Sequence, residues 1–94
     1  MRFDWDPDKA AANARKHNVT FDEAATAFED ENALVRDDPI HSVGERRFVL
    51  IGWSSAPRLL VVVHCEREAG DAVRIISARA ANPAERIAYL RQQP

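Results

Sequence analysis

The sequence predicts an α+β domain: two N-terminal helices, an antiparallel four-stranded sheet and a C-terminal helix. Three observations predict it. The apolar period changes from 3.6 to 2 after Glu31-Asn32, helix-start signals stand at three places, and the apolar strands are joined by links of about four residues. Asp6-Pro7 opens the first helix, with Asp6 as cap and Pro7 where a missing N–H costs nothing. Asn18 ends it, since asparagine tolerates the left-handed C-cap conformation. Thr20-Phe21-Asp22-Glu23 reads as a capping box for the second helix, with Phe21, Ala24, Ala25 and Phe28 as its apolar face. Only Asn18 and Val19 separate the two helices, which therefore form an angled pair.

Ala33 to Asp37 reads as a short strand, followed by a polar loop from Asp38 to Glu45. Arg46 to Trp53, Leu59 to Arg67 and Ala72 to Arg79 are stronger strands, and Phe3 to Trp5 is a candidate addition at a sheet edge. Leu59 to Val63 is apolar on both faces, which predicts a central strand. Asn82-Pro83-Ala84-Glu85 starts the last helix, with Ile87 and Leu90 expected as its buried contacts.

The 94 residues suit one domain, 1–94, and a mix of 46% apolar and 30% charged residues suits a soluble globular one. The longest aliphatic run, Leu59 to Val63, is far short of the roughly 20 residues that span a membrane. The acidic, aromatic start Met1 to Asp6 is unlike a secretory signal, so a cytoplasmic location is expected. Cys65 has no second cysteine to pair with, and the scattered histidines make no zinc framework; no metal and no cofactor are expected.

The net charge of −2 hides an asymmetry. Residues 1–43 hold five basic groups against ten acids, whereas residues 44–94 hold eight arginines and no lysine against five acids. Arginine is informative because its planar fork grips phosphate bidentately and stays charged when partly buried. Arg46, Arg47, Arg67 and Arg79 lie at strand ends, where side chains can converge over one rim of a sheet. Whether Arg67 and Arg79 share a face depends on the register of the hairpin at Glu68 to Asp71: a three-residue loop aligns them, and a two- or four-residue loop separates them. Among the histidines, His64 reads as a core residue, His41 as a loop residue, and His17 as a candidate proton carrier at the end of the first helix. Cys65 reads as a packing thiol.

Several of these segments together resemble the BrnT family: Phe3-Asp4-Trp5-Asp6, Lys16-His17-Asn18-Val19-Thr20-Phe21-Asp22-Glu23-Ala24, His41-Ser42 with Gly44-Glu45-Arg46-Arg47-Phe48, and Arg74-Ile75-Ile76-Ser77-Ala78-Arg79 with Glu85-Arg86 and Tyr89. The resemblance covers nearly the whole chain, with Asn18 standing where family members commonly have glycine. It implies a bacterial type II toxin that inhibits growth: a metal-independent endoribonuclease, a hydrolase similar in fold to RelE-like toxins. It also implies a BrnA-type antitoxin of ribbon-helix-helix build as partner, operator DNA reached only through that antitoxin, and dimerisation within the complex.

The residues suit RNA cleavage on their own terms. The 2′-OH can attack the adjacent phosphate if a protein aligns it, takes a proton and holds the developing charge. Arg67 and Arg79 are the candidates for holding the phosphate and its transition state, and His17 or Glu45 for the base. Arg46 and Arg47 would grip neighbouring phosphates, and Trp5 or Tyr89 would stack on a base. The competing class is a non-catalytic RNA- or protein-binding module. A DNA-binding regulator fits less well, because the second helix carries Asp22, Glu23, Glu29 and Asp30 and no arginine.

Overall fold

A computed structural model describes residues 1–42, 44–67 and 70–92. The elements run β1 (Arg2–Asp4), α1 (Pro7–His17), α2 (Phe21–Thr26), β2 (Leu34–Asp37), β3 (Arg47–Trp53), β4 (Leu59–Arg67), β5 (Ala72–Ala80) and α3 (Pro83–Arg91), with 3-10 turns at Ala27–Glu29 and Pro39–His41. Among the described residues no helix is long and apolar enough to cross a membrane.

The helix signals act as written. Asp6 accepts from the Asp8 amide at 2.9 Å, and Asn18 closes α1 at φ 56°, ψ 36°. Thr20 Oγ1 accepts from the Glu23 amide, but only half of that capping box forms. The Glu23 carboxylate is taken instead by Arg58, whose Nε donates at 2.9 Å, and by the Ser54 hydroxyl at 2.7 Å. Arg58 also reaches the Asn18 carbonyl at 2.9 Å, so one guanidinium ties the β3–β4 turn to the α1–α2 corner.

The expected antiparallel four-stranded sheet is corrected to a mixed five-stranded one, in the order β1-β5-β4-β3-β2. β1 pairs in parallel with β5, Arg2 to Asp4 against Ala72 to Arg74. The edge strand expected at Phe3 to Trp5 thus forms at Arg2–Asp4, three residues too few to carry a periodicity of their own. What makes them a strand is distant: Phe3 turns inward onto the Phe28 ring, centroids 5.1 Å apart, and the Arg2 amide donates to the Asp71 carbonyl. The other pairings are antiparallel, and β4 is central, with Leu59, Leu60, Val61 and Val62 all buried.

α1 and α2 cover one face of the sheet, over Leu50, Leu60, Val62, Val73, Ile75 and Ala78. Gly52 lets β3 approach the 3-10 turn, since a Cβ there would lie 3.0 Å from the Ala27 carbonyl oxygen. His64 belongs to this layer, its ring 4.8 Å edge-on from Phe28 and stacked 5.7 Å from Phe48. Burial pushes its pKa down, against weaker support from the Val62 carbonyl and Glu66. On the other face α3 covers only one end. It does so through Tyr89, packed with Ile51, Leu59 and Val61, whereas Ile87 and Leu90, expected inside, are 49% and 57% exposed. The reason is the Tyr89 hydroxyl, which donates to Asp30 at 2.7 Å and fixes the rotation of the helix.

Beyond Arg74 the outer edge of β5 has no strand beside it among the described residues. Asn13 of α1 takes that place: its amide donates to the carbonyls of Ala78 and Val19 and its oxygen accepts from the Ala78 amide. Asn13→Leu leaves buried backbone groups unpaired and is expected to cost about 2–4 kcal/mol, read as a lower urea midpoint at unchanged slope. Acid is expected to act in two stages. His64, held below 6.5 by burial, contributes stability that is complete above 6.5 and is lost as pH falls from there through its lower folded pKa. Glu23 and Glu85, both held below 4.5 by arginine hydrogen bonds, contribute stability that is lost below 4.5. Urea midpoints against pH should show both stages, and His64→Asn should lack the first.

Candidate phosphate-binding face

The register places the charged side chains. Residues directly opposite one another in a ladder share a face, so Arg47, Cys65 and Arg74 form one row across β3, β4 and β5, continued by Asp4 of β1. The next row toward the Glu68–Asp71 link holds Arg67 opposite Ala72, and Arg2 beyond it. On the other side, Arg36 of β2 lies opposite Val49, itself opposite Val63. All of these lie on the face that α3 covers at its opposite end. The uncovered half of the sheet is therefore a floor of Val49, Val63 and Cys65 rimmed by guanidinium groups.

Electrostatics confirm the convergence. Burial pushes the Cys65 thiol up, the Glu45 carboxylate adds to this, and Arg47, Arg67 and Arg74 oppose it. Four charged groups thus act on one buried sulfur. Arg67 Nη2 donates to Glu45 Oε1 at 3.0 Å, and Arg74 pairs more loosely with Asp4 at 3.5 Å. Arg47 and Arg36 have no carboxylate partner among the described residues. Arg67 Nε is buried with no hydrogen-bond partner, the one such side-chain atom among the described residues. A buried orphan donor is costly, so Arg67 is held in a pose that an added acceptor would improve.

A shift in register sets how Arg67 and Arg79 are related. Arg67 pairs with Ala72, leaving a four-residue link, yet Val61 still pairs with Arg79 because the register shifts by one between Val63 and His64. The extra residue lies on β5, so both arginines occupy one face despite the even loop. Glu68 and Ala69, the first two residues of that link, lie outside the described residues. Sharing a face does not bring the two together. Seven residues of strand separate Ala72 from Arg79, roughly 20 Å at about 3.3 Å per residue. Arg79 is instead gripped by both Glu85 oxygens, each at 2.7 Å, and Glu85 Oε1 also accepts from the Asn82 amide in a complete capping box. This hydrogen bonding holds Glu85 below and Arg79 above their usual ranges.

The remaining candidates are dispersed. Arg46 pairs with Asp37 at 2.7 Å and lies over the Phe48 ring. His17 stands on α1 beside Ile76 and Ser77, five residues along β5 from the partner of Arg67. Trp5 is half-buried, edge-on to Phe21 at 5.8 Å, in the main core. Tyr89 is buried, and its phenol is pushed up to about 12 by burial and by Asp30. Arg74 is the member of this arginine group that reading the sequence did not single out. It sits mid-strand, and the signal was its polar side chain between apolar Val73 and Ile75, the alternation of an open face.

Residues 5–85 match the family described as ribonuclease toxin, BrnT, of type II toxin-antitoxin system. The chain belongs to the BrnT family. It is thus a ribonuclease toxin of a type II toxin-antitoxin system, and an antitoxin is its partner. The fold agrees with the crystal structure of the Brucella abortus ribonuclease toxin BrnT: TM-score 0.67 at 23% identity, over 87% of this chain and 97% of that one. No curated protein matches the sequence.

The burial of Cys65 in this BrnT chain has a direct check. Iodoacetamide at neutral pH should leave Cys65 unmodified in the native protein and alkylate it in urea, as read by intact mass; rapid native alkylation would mean that the floor is open.

Proposed function

We propose that this BrnT-family toxin is a metal-independent endoribonuclease whose phosphate site is the Arg47, Arg67, Arg74 group over Cys65. The convergence of three guanidiniums on the half of the sheet that α3 leaves bare carries this reading. The 2′-OH attacks the neighbouring phosphorus, the bond to the 5′-oxygen breaks, that oxygen takes a proton from water, and a 2′,3′-cyclic phosphate and a 5′-hydroxyl are left. Charge builds on the non-bridging oxygens during that exchange. Fixed donors aimed there in a site of low polarity are worth more in the transition state than in the ground state.

Arg67 is the principal stabiliser. Its side chain is 39% exposed, and its guanidinium keeps donors beyond the one Nη2 bond to Glu45, which suits a phosphate oxygen. Glu45, 3.0 Å from Arg67, is the base that takes the 2′-OH proton, because it is the carboxylate already at the guanidinium that holds the phosphate. Arg47 and Arg74 neutralise the flanking charge from the adjacent row, and Arg46 lies one residue outside it. Arg79, with both donors on Glu85, anchors α3, and Trp5 and Tyr89 hold the core. The toxin acts on RNA in the cytoplasm and slows growth. A BrnA-type antitoxin of ribbon-helix-helix build neutralises it by laying acidic groups on the same arginines.

Purified protein incubated with RNA in excess chelator should cleave it. Arg67→Ala should lower kcat/KM about 10²–10³-fold, the loss typical of removing one donor to a developing oxyanion, with the unfolding midpoint unchanged. Arg67→Lys should rescue little, since an ammonium lacks the fork. Binding without cleavage by the wild type would make the protein a binding module, and full activity in Arg67→Ala would remove Arg67 from the chemistry. Glu45→Gln should lower kcat by about 10²–10⁴-fold with little change in RNA affinity; unchanged kcat would assign the base elsewhere.

A further inference from the structure

Beside the arginine face lies a second basic feature that the cleavage chemistry does not use. Lys9, Ala12, Asn13, Lys16 and His17 recur at the three- and four-residue spacing of one helical face. That stripe of α1 borders Ile76 and Ser77 of β5, and together they line a cleft of about 230 Å³. Lys9 and Lys16 are exposed, and His17 is half-buried between them and the sheet. No carboxylate is among the lining residues, and neither lysine has a carboxylate partner among the described residues. In a half of the chain with twice as many acids as bases, three basic side chains with no acid among them stand apart.

The cleft is continuous with the arginine face. β1 stops pairing at Arg74, so from Ile75 onward the sheet has no further strand on that side among the described residues. Ser77, opposite Val63, lies on the arginine face and also lines the cleft. Across the row of Arg47, Cys65 and Arg74 the sheet continues into β1 at Asp4, but a chain that turns along β5 from Arg74 reaches the edge three residues on at Ser77, where it meets α1. Lys9 and Lys16 are seven residues apart, roughly 10 Å along the helix, a span that offers charge to more than one phosphate.

We propose that the Lys9, Lys16, His17 cleft binds the backbone of the same RNA strand on one flank of the cleaved phosphate, so that the substrate track runs across the sheet and over the β5 edge onto α1. The inference rests on the reading of the arginine face as the phosphate site. The contacts are to phosphate and carry no base selectivity. His17 is then a flank-binding residue, and the cleft adds affinity for strands long enough to reach it.

The test uses the full chain and a labelled, fully 2′-O-methylated RNA 12-mer, which cannot be cleaved, with anisotropy read across a salt series. Lys9→Ala with Lys16→Ala should weaken binding about 3- to 10-fold near 100 mM salt and flatten the salt dependence by about 1.4 in log–log slope, at about 0.7 per phosphate for a single strand. Alanine favours helix at both exposed positions, and Lys9→Arg with Lys16→Arg should bind like the wild type. A lysine-to-alanine pair with wild-type affinity and slope, while Arg47→Ala with Arg74→Ala weakens binding, would overturn this inference and leave the phosphate site standing. Wild-type protein that does not bind the RNA would overturn both.

Discussion

The pairing of Cys65 with Arg47 on one side and Arg74 on the other is the constraint from which the site follows. β4 is buried on both faces along its first half, so its register cannot slip without turning Leu60 and Val62 out of the core. The core thereby fixes what the opposite face presents. Leu60, Val62 and His64 point to α1 and α2; Val61, Val63, Cys65 and Arg67 point the other way. A cluster of like charges, which would repel in isolation, is held by apolar packing on the far side of a single strand.

α3 sets the limit of the open area. Tyr89 and its bond to Asp30 seat the helix over Ile51, Leu59 and Val61, and the Arg79–Glu85 pair ties its first turn to β5. Asp30 serves several partners: burial disfavours its charge, yet the Trp53 amide, the Tyr89 hydroxyl and the Asn32 amide together hold its carboxyl below the usual range. The sheet is consequently divided. One end is a closed apolar contact, and the other is a basic surface with Glu45 and Asp4 as its acids among the described residues.

Much of this is legible in local sequence. Caps at Asp6, Thr20 and Asn82, the left-handed stop at Asn18 and the doubly apolar run of β4 are short-range signals, and each acts where it stands. What escapes is set by distant partners. An edge strand near Phe3 to Trp5 is legible, but its place at Arg2–Asp4 and its parallel pairing depend on the edge that β5 leaves and on the contact of Phe3 with Phe28. The register shift at Ile75–Ser77 carries no glycine or proline to mark it, yet it decides that Arg67 and Arg79 share a face. Glu23 completes no capping box because Arg58, 35 residues on, binds its carboxylate. Site residues sought at strand ends included Arg47 and Arg67 but passed over Arg74, whose role appears only when its neighbours across the ladder are known.

Nitrogen-15 spectra of the arginine Nε–H groups, recorded while the uncleavable RNA is added, test the central claim most directly. The signals of Arg47, Arg67 and Arg74 should shift, while Arg58 and Arg79, already held by Glu23 and Glu85, stay in place. Shifts centred on Arg79 with those three unmoved would contradict the account.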